Sequence, residues 1–314
     1  MGVKVAEYLG VRIDRDYQVE PIPVFKGGEG GQGKIQVQCP FMQEYCVKAR
    51  RGDKPICSLR DSVSEKLWVV CEHRLCATKK GTKNKPIPLN GYQKEMLYSI
   101  AKEIYGPTIP KEDVWVKREV SVPVTESSSY SADYVMWRQN PNLATTSSPD
   151  RPVILEMQGG GETSNTGDLT KHIRSWEQGE VELSSVLTTV NPLTTNAWRR
   201  QQEQFLVKGN AAMLTGGKMV FCLGSLIYEY LIPRLKRTTI FPDLRNANWT
   251  LALLAIVECS DEESPLLRHA PHAIPLKVDV DRSLFTNYGF FVQAITNQGM
   301  ACNEIFAEPY ENIV

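Results

Sequence analysis

Three strand-like segments between residues 114 and 158 constrain this chain most, because together they place two carboxylates and an amide where one cation could join them. VWVKREVSVPV is rich in β-branched residues, and SADYVMW is a shorter apolar run carrying Asp133 near its start. RPVILEMQGG has the period of a strand, so Glu156 and Gln158 point one way while Met157 points the other. Asp133 reaches the volume addressed by Glu156 and Gln158 only if its strand pairs beside theirs. A hard cation such as Mg2+ takes oxygen ligands and acts on phosphoryl oxygens, which makes this arrangement a candidate site for phosphate chemistry. The plain alternative is that Asp133 and Glu156 are strand-end carboxylates facing water.

With 314 residues, 42% of them hydrophobic and 23% charged, the chain is long and apolar enough to bury a core and is not of disordered composition. Net charge is zero but uneven: residues 1–120 hold 21 Lys and Arg against 15 Asp and Glu, a weak signal for contact with phosphates. The sequence contains no uniformly apolar stretch of membrane-spanning length, and its first twenty residues are charged where a secretory signal is apolar. A cytoplasmic location is the expectation, and there eight cysteines are read as ligands or buried thiols rather than disulfides.

Five of those cysteines, Cys39, Cys46, Cys57, Cys71 and Cys76, fall in CPFMQEYC, DKPICSLRD and VVCEHRLC. Thiolates grouped in a small, loop-rich, basic region suit a structural tetrahedral site, which stabilises a subdomain too small for its own core. Cys39, Cys46, Cys57 and Cys71 are the expected ligands with Cys76 in reserve, and four thiolates do not choose between iron and zinc. His73 is a further candidate ligand, a phosphate contact or a surface residue. The plain alternative is that several of these cysteines are buried small hydrophobes.

Elsewhere, GGEGGQGKI at 27–35 lacks the Ser or Thr that follows Lys in a phosphate-binding loop and reads as a plain loop. TKKGTKNKPIP, at 78–88, reads as a linker whose lysines are solvated or meet phosphates. Helices are expected over 89–106 and 197–217, the latter with Trp198, Phe205 and Leu206 near one face. Exposed connections are expected at 127–131 and 138–151, and a cap at Thr166 or Asp168 opens a helix running through Trp176. MVFCLGSLIYEYL reads as a buried strand or short helix containing a core Cys222, and TLALLAIVEC as a central strand.

CPF-x5-C, PICS and VVCEHRLC, followed by SADYV and VILEMQGG, resemble the NotI-like Type II restriction endonucleases, a branch of the PD-(D/E)XK nuclease superfamily, over residues 39–160. The resemblance implies an α/β fold: a nuclease core of mixed β-sheet flanked by helices over residues 89–314, with a small four-cysteine metal-binding, DNA-contacting subdomain over residues 1–88. It casts Asp133 as the motif Asp, Glu156 as the motif Glu, and Gln158 as a Gln standing for the usual Lys. Ala132 replaces the usual Pro, and Cys76 is a departure from the pattern. By this resemblance Asp133, Glu156 and the Met157 carbonyl would bind Mg2+, with Glu119 a further candidate, and Gln158 would orient water or a phosphate oxygen. The implied activity is site-specific hydrolysis of double-stranded DNA at a GC-rich palindrome, leaving 5′-phosphates. A homodimer and a cognate DNA methyltransferase would accompany it. Arg50, Arg51, Arg138, Arg199 and Arg200 are unranked candidates for reading bases. The alternatives are a non-catalytic, sequence-specific DNA-binding protein with a structural metal site, and a metal-independent glycosidase using Glu156.

Overall fold

The computed structural model describes residues 2–14, 19, 37–42, 44–51, 54–77, 81–82, 85–138, 151–160 and 163–297. The glycine-rich segment at 27–35, most of the 138–151 connection, and the side chains of Arg50, Arg51 and Arg200 lie outside the described residues.

The N-terminal part holds β1 (Val3–Tyr8), β2 (Val11–Arg12), α1 (Val47–Arg51), β3 (Ile56–Asp61) and β4 (Leu67–Val69), whose strands form a sheet in the order β2-β1-β3-β4. A two-stranded ribbon, β5 (Gly81–Thr82) with β6 (Lys85–Pro86), leads to α2 (Gly91–Tyr105). Asn90 and Gln93 cap α2 reciprocally, Asn90 Oδ1 accepting from the Gln93 N–H at 2.8 Å and Gln93 Oε1 from the Asn90 N–H at 3.0 Å. The stripe of Tyr92, Met96, Ile100 and Ile104 is buried, as the helical spacing predicts.

The main sheet follows: β7 (Val114–Pro123), β8 (Ser129–Arg138), β9 (Val153–Gln158), then α3 (Thr166–Glu177), α4 (Thr194–Leu214), β10 (Lys218–Gly224), α5 (Ser225–Thr238), β11 (Leu251–Glu258), β12 (Leu276–Thr286) and α6 (Tyr288–Thr296). Its order is β12-β11-β10-β9-β8-β7, with β9, β10 and β11 parallel and antiparallel pairing on both flanks. Every residue of β10 is buried and all but the last of β11, which is why those segments read as continuous apolar runs: parallel strands are covered on both faces. One face packs with α2, through Tyr134, Met136, Leu155 and Met157. The other packs with α3, α4, α5 and α6, through Phe205, Phe221 and Phe291. The mixed sheet flanked by helices is therefore present.

Three local expectations shift. Ser129 and Ser131 belong to β8 rather than to a connection, because the hairpin closes earlier, where Val124 and Thr125 N–H groups donate to the Ser128 carbonyl at 3.0 and 3.1 Å. Asn165 occupies the position before α3, and Thr166 and Asp168 fall in its first turn. The 218–238 stretch is a strand and a helix in succession, turning at Gly224.

The four-cysteine metal subdomain is corrected. Among the described residues no group of three or more His, Cys, Asp or Glu side chains is placed to hold a metal ion. Protein contacts hold the N-terminal part instead. Glu7, fully buried, accepts from Arg74 Nε at 3.0 Å, Ser58 Oγ at 2.5 Å and the Ile274 N–H at 2.7 Å. Arg74 also donates to the Tyr92 hydroxyl and the Ile274 carbonyl, with its guanidinium 4.8 Å from the centre of the Phe41 ring. One buried ion pair thus joins β1, β3, the short 3-10 turn at Glu72–Leu75, α2 and the segment before β12. Gly160 adds a second tie: its φ of +118° suits glycine, and a Cβ there would stand 2.6 Å from the Trp68 ring.

Candidate functional site

Register brings the expected residues together. Tyr134 pairs with Leu155 and Met136 with Val153, so the same register continued by one step sets Asp133 beside Glu156. Asp133 Oδ2 accepts from the Met157 N–H at 2.8 Å. Glu119 lies across from Asp133 between the pairs Arg118–Tyr134 and Val120–Ala132, at a left-handed φ of +45°. Asp133, Glu156, Gln158 and Met157 line a cavity of about 550 Å³ between the N-terminal sheet and the main sheet. The opposite wall carries Cys39, Cys46, Cys57 and Cys71, with Lys48 and His73. Cys76 does not line it: that thiol is fully buried, and its carbonyl accepts from the Tyr134 hydroxyl at 2.6 Å. Nor is His73 a surface residue, since it is buried with Nδ1 2.6 Å from the Ala77 carbonyl.

The residue that sequence reasoning missed is Lys208. It is 1% exposed, stands 2.8 Å from Glu156 Oε1, and donates to the Ser131 carbonyl and to Gln204 Oε1, each at 2.8 Å. A signal was available, because Phe205, Lys208, Gly209 and Ala212 repeat at helical spacing, and a lysine on an apolar stripe needs a buried partner. Glu156 Oε1 is buried, and its partner is the Lys208 ammonium 2.8 Å away.

Burial, and then the charge of Asp133, push the Glu156 carboxyl up to about 7 against the attraction of Lys208. Burial also raises Asp133, opposed by the Met157 N–H. Replacing Asp133 by asparagine removes the repulsion but not the burial. Glu156 should then titrate below 7 yet above an ordinary carboxyl; a carbon-NMR titration showing no change would contradict this assignment of causes.

The metal expectations do not stand. Asp133 and Glu156 are engaged by a backbone N–H and an ammonium, and they do not gather with Glu119 into a group able to hold Mg2+. Burial lifts the Cys39 thiol to about 12 and raises Cys57 and Cys71 as well. Arg199 is exposed on α4, whereas Arg138 is half-buried at the end of β8.

Beyond the cavity, the α4-side face of the sheet lies open at the Trp115–Trp137 end of β7 and β8. Trp115 and Trp137 stand directly opposite each other there, 58% and 49% exposed, and the next pair on that face is Lys117 with Val135. Asp133 and Glu119 form the following row, roughly 13 Å along the strand from the tryptophans at ~3.3 Å per residue. Among the described residues no helix is long and apolar enough to cross a membrane. The expectation of a Mg2+-dependent, site-specific deoxyribonuclease, and that of a structural iron or zinc centre, are both withdrawn, since no metal-holding group is present among the described residues and neither a protein-family model nor a curated protein matches the chain.

Proposed function

We propose that this chain binds DNA without a metal, one strand running from the Trp115–Trp137 shelf to the cavity that holds Asp133, Glu156 and Gln158. The observation that carries this reading is the pair of opposed, exposed tryptophans beside Lys117, on the same sheet face as the acidic row. Indole faces accept any base by stacking, worth about 1–3 kcal/mol per base, while lysine adds a salt-sensitive phosphate contact. The basic excess over residues 1–120 points the same way. The likeness to the PD-(D/E)XK superfamily is kept as a proposal about scaffold alone, on the mixed sheet flanked by helices. A homodimer in the cytoplasm belongs to the same proposal. The methyltransferase partner followed only from strand cutting and falls with it.

Fluorescence anisotropy with labelled duplex and single-stranded 20-mers, in EDTA and at rising salt, tests the reading. Trp115→Ala and Trp137→Ala should each weaken binding about 5- to 150-fold, the equivalent of 1–3 kcal/mol. No binding at low salt, or an unchanged affinity in the double variant, would overturn it. Comparison of the two oligonucleotides shows whether the shelf takes unpaired bases or a duplex.

A further inference from the structure

Cys57 and Cys71 are free thiols on the cavity wall that faces Asp133 and Glu156, and both pack in the same buried cluster. Their backbones are adjacent. The N–H groups of Val70 and Cys71 both donate to the Cys57 carbonyl, at 3.1 and 3.0 Å, the pattern of a β-bulge in which two residues oppose one. Cross-strand partners sharing such a bond stand roughly 5.5 Å apart between Cα atoms, within the roughly 4.4–6.8 Å that a disulfide spans. The other two thiols of this wall are set differently. Cys39 and Cys46 lie diagonally across the Gln38–Tyr45 bridge, a separation of roughly 7–8 Å that a disulfide does not reach without backbone movement.

Lys48 bears on both members of the closer pair. Its Nζ donates to the Ile56 carbonyl at 2.9 Å and to the Val70 carbonyl at 3.5 Å, each the residue before one of the cysteines. That positive charge opposes the burial that raises both thiols, and at Cys71 the N–H groups of His73 and Arg74 act in the same direction. Cys71 is therefore the less raised of the two and the first to supply a thiolate.

We propose that Cys57 and Cys71 form a dithiol site that a small dialkyl disulfide, admitted to the cavity, oxidises reversibly to a disulfide. The Cys71 thiolate, its proton lost to water, attacks one sulfur of the reagent, forming a mixed disulfide and expelling one thiolate. Cys57, deprotonated in turn, attacks the Cys71 sulfur, closing the Cys57–Cys71 bond and expelling the second thiolate. Two protein thiols lose two electrons and two protons, and the reagent gains them as two thiols. The cavity of about 550 Å³ has room for such a molecule. The new bond ties the start of β3 to the segment entering the 3-10 turn at Glu72–Leu75, fixing the wall across from Asp133. It stands apart from the DNA reading, since no nucleic acid takes part.

The test is to incubate the full chain with 2-hydroxyethyl disulfide at pH 7.5 and 8.5, alkylate the remaining thiols in denaturant, and map the digest by mass spectrometry. The peptides carrying Cys57 and Cys71 should be joined with loss of two hydrogens within hours, and dithiothreitol should part them. Joining should run about tenfold faster at the higher pH, because the rate follows the thiolate fraction. Cys57→Ser, folded by circular dichroism, should instead hold half of the reagent on Cys71, with no second thiol opposed to it to displace that half. No joined peptide, a joined pair that includes Cys39 or Cys46, joining that begins only when urea unfolds the chain, or a folded Cys57→Ser chain left unmodified at Cys71 would overturn the site. The map of the unsubstituted chain decides by itself if that variant does not fold.

Discussion

Arg74→Met should cost about 3–5 kcal/mol of folding stability, read as a fall in the urea midpoint with little change in slope. Glu7 is 0% exposed and Arg74 is 1% exposed. Removing the guanidinium leaves a carboxylate with only Ser58 Oγ and the Ile274 N–H as donors, and it strips the Tyr92 hydroxyl and the Ile274 carbonyl of theirs. Breaking one side of a buried pair is far more damaging than replacing both. The double variant Glu7→Leu/Arg74→Met should therefore recover part of the loss. A fall below 1 kcal/mol in the single variant would show that Arg74 is not what ties the N-terminal sheet to the segment before β12.

Lys208→Met should be the second large effect, and it should depend on pH. In the folded protein Glu156 titrates at about 7, above its ordinary value, so the stability linked to its protonated form is complete below the usual carboxyl range and is lost as pH rises through 7. Removing the ammonium takes away the attraction that opposes burial, and the carboxyl moves further up. At pH 8.5 the variant should be about 3–5 kcal/mol less stable than the parent. At pH 6 Glu156 takes a proton, and the penalty should shrink by about 1.4 kcal/mol for each pH unit over which the two carboxyls differ in protonation. Urea titrations at the two pH values decide it. A pH-independent loss would mean that Lys208 stabilises α4 by packing its methylenes rather than by facing Glu156.

Part of the site was legible: the two-residue period of a strand sets Glu156 and Gln158 of VILEMQ on one face, whereas SADYVMW is an apolar run, and the pairing that brings Asp133 beside them is not a local property. α2 was legible from its stripe and its terminal glycine. What the local pattern misjudged was the metal. Clustered cysteines and strand-borne carboxylates carry the right atoms for ligation, but ligation requires three or more of them to converge, and among the described residues they do not, a property that is not local. Burial of Cys39, Cys57 and Cys71 against the main sheet raises their thiols, and the same enclosure raises Asp133 and Glu156.

From the sequence alone came the strands β7, β8, β9 and β11, the helices α2, α3 and α4, and the shared face of Glu156 and Gln158, since each depends on a pattern read over a few residues. Only the tertiary structure decided what those polar groups face. Lys208 lies 52 positions after Glu156 in the chain and meets it because α4 packs across β8 and β9. Trp115 and Trp137 become a shelf because α4 crosses β8 near Ser131 and leaves the Trp115–Trp137 end of β7 and β8 exposed. Charge state and exposure are set by how elements pack, and packing brings together residues whose separation along the chain carries no period to read.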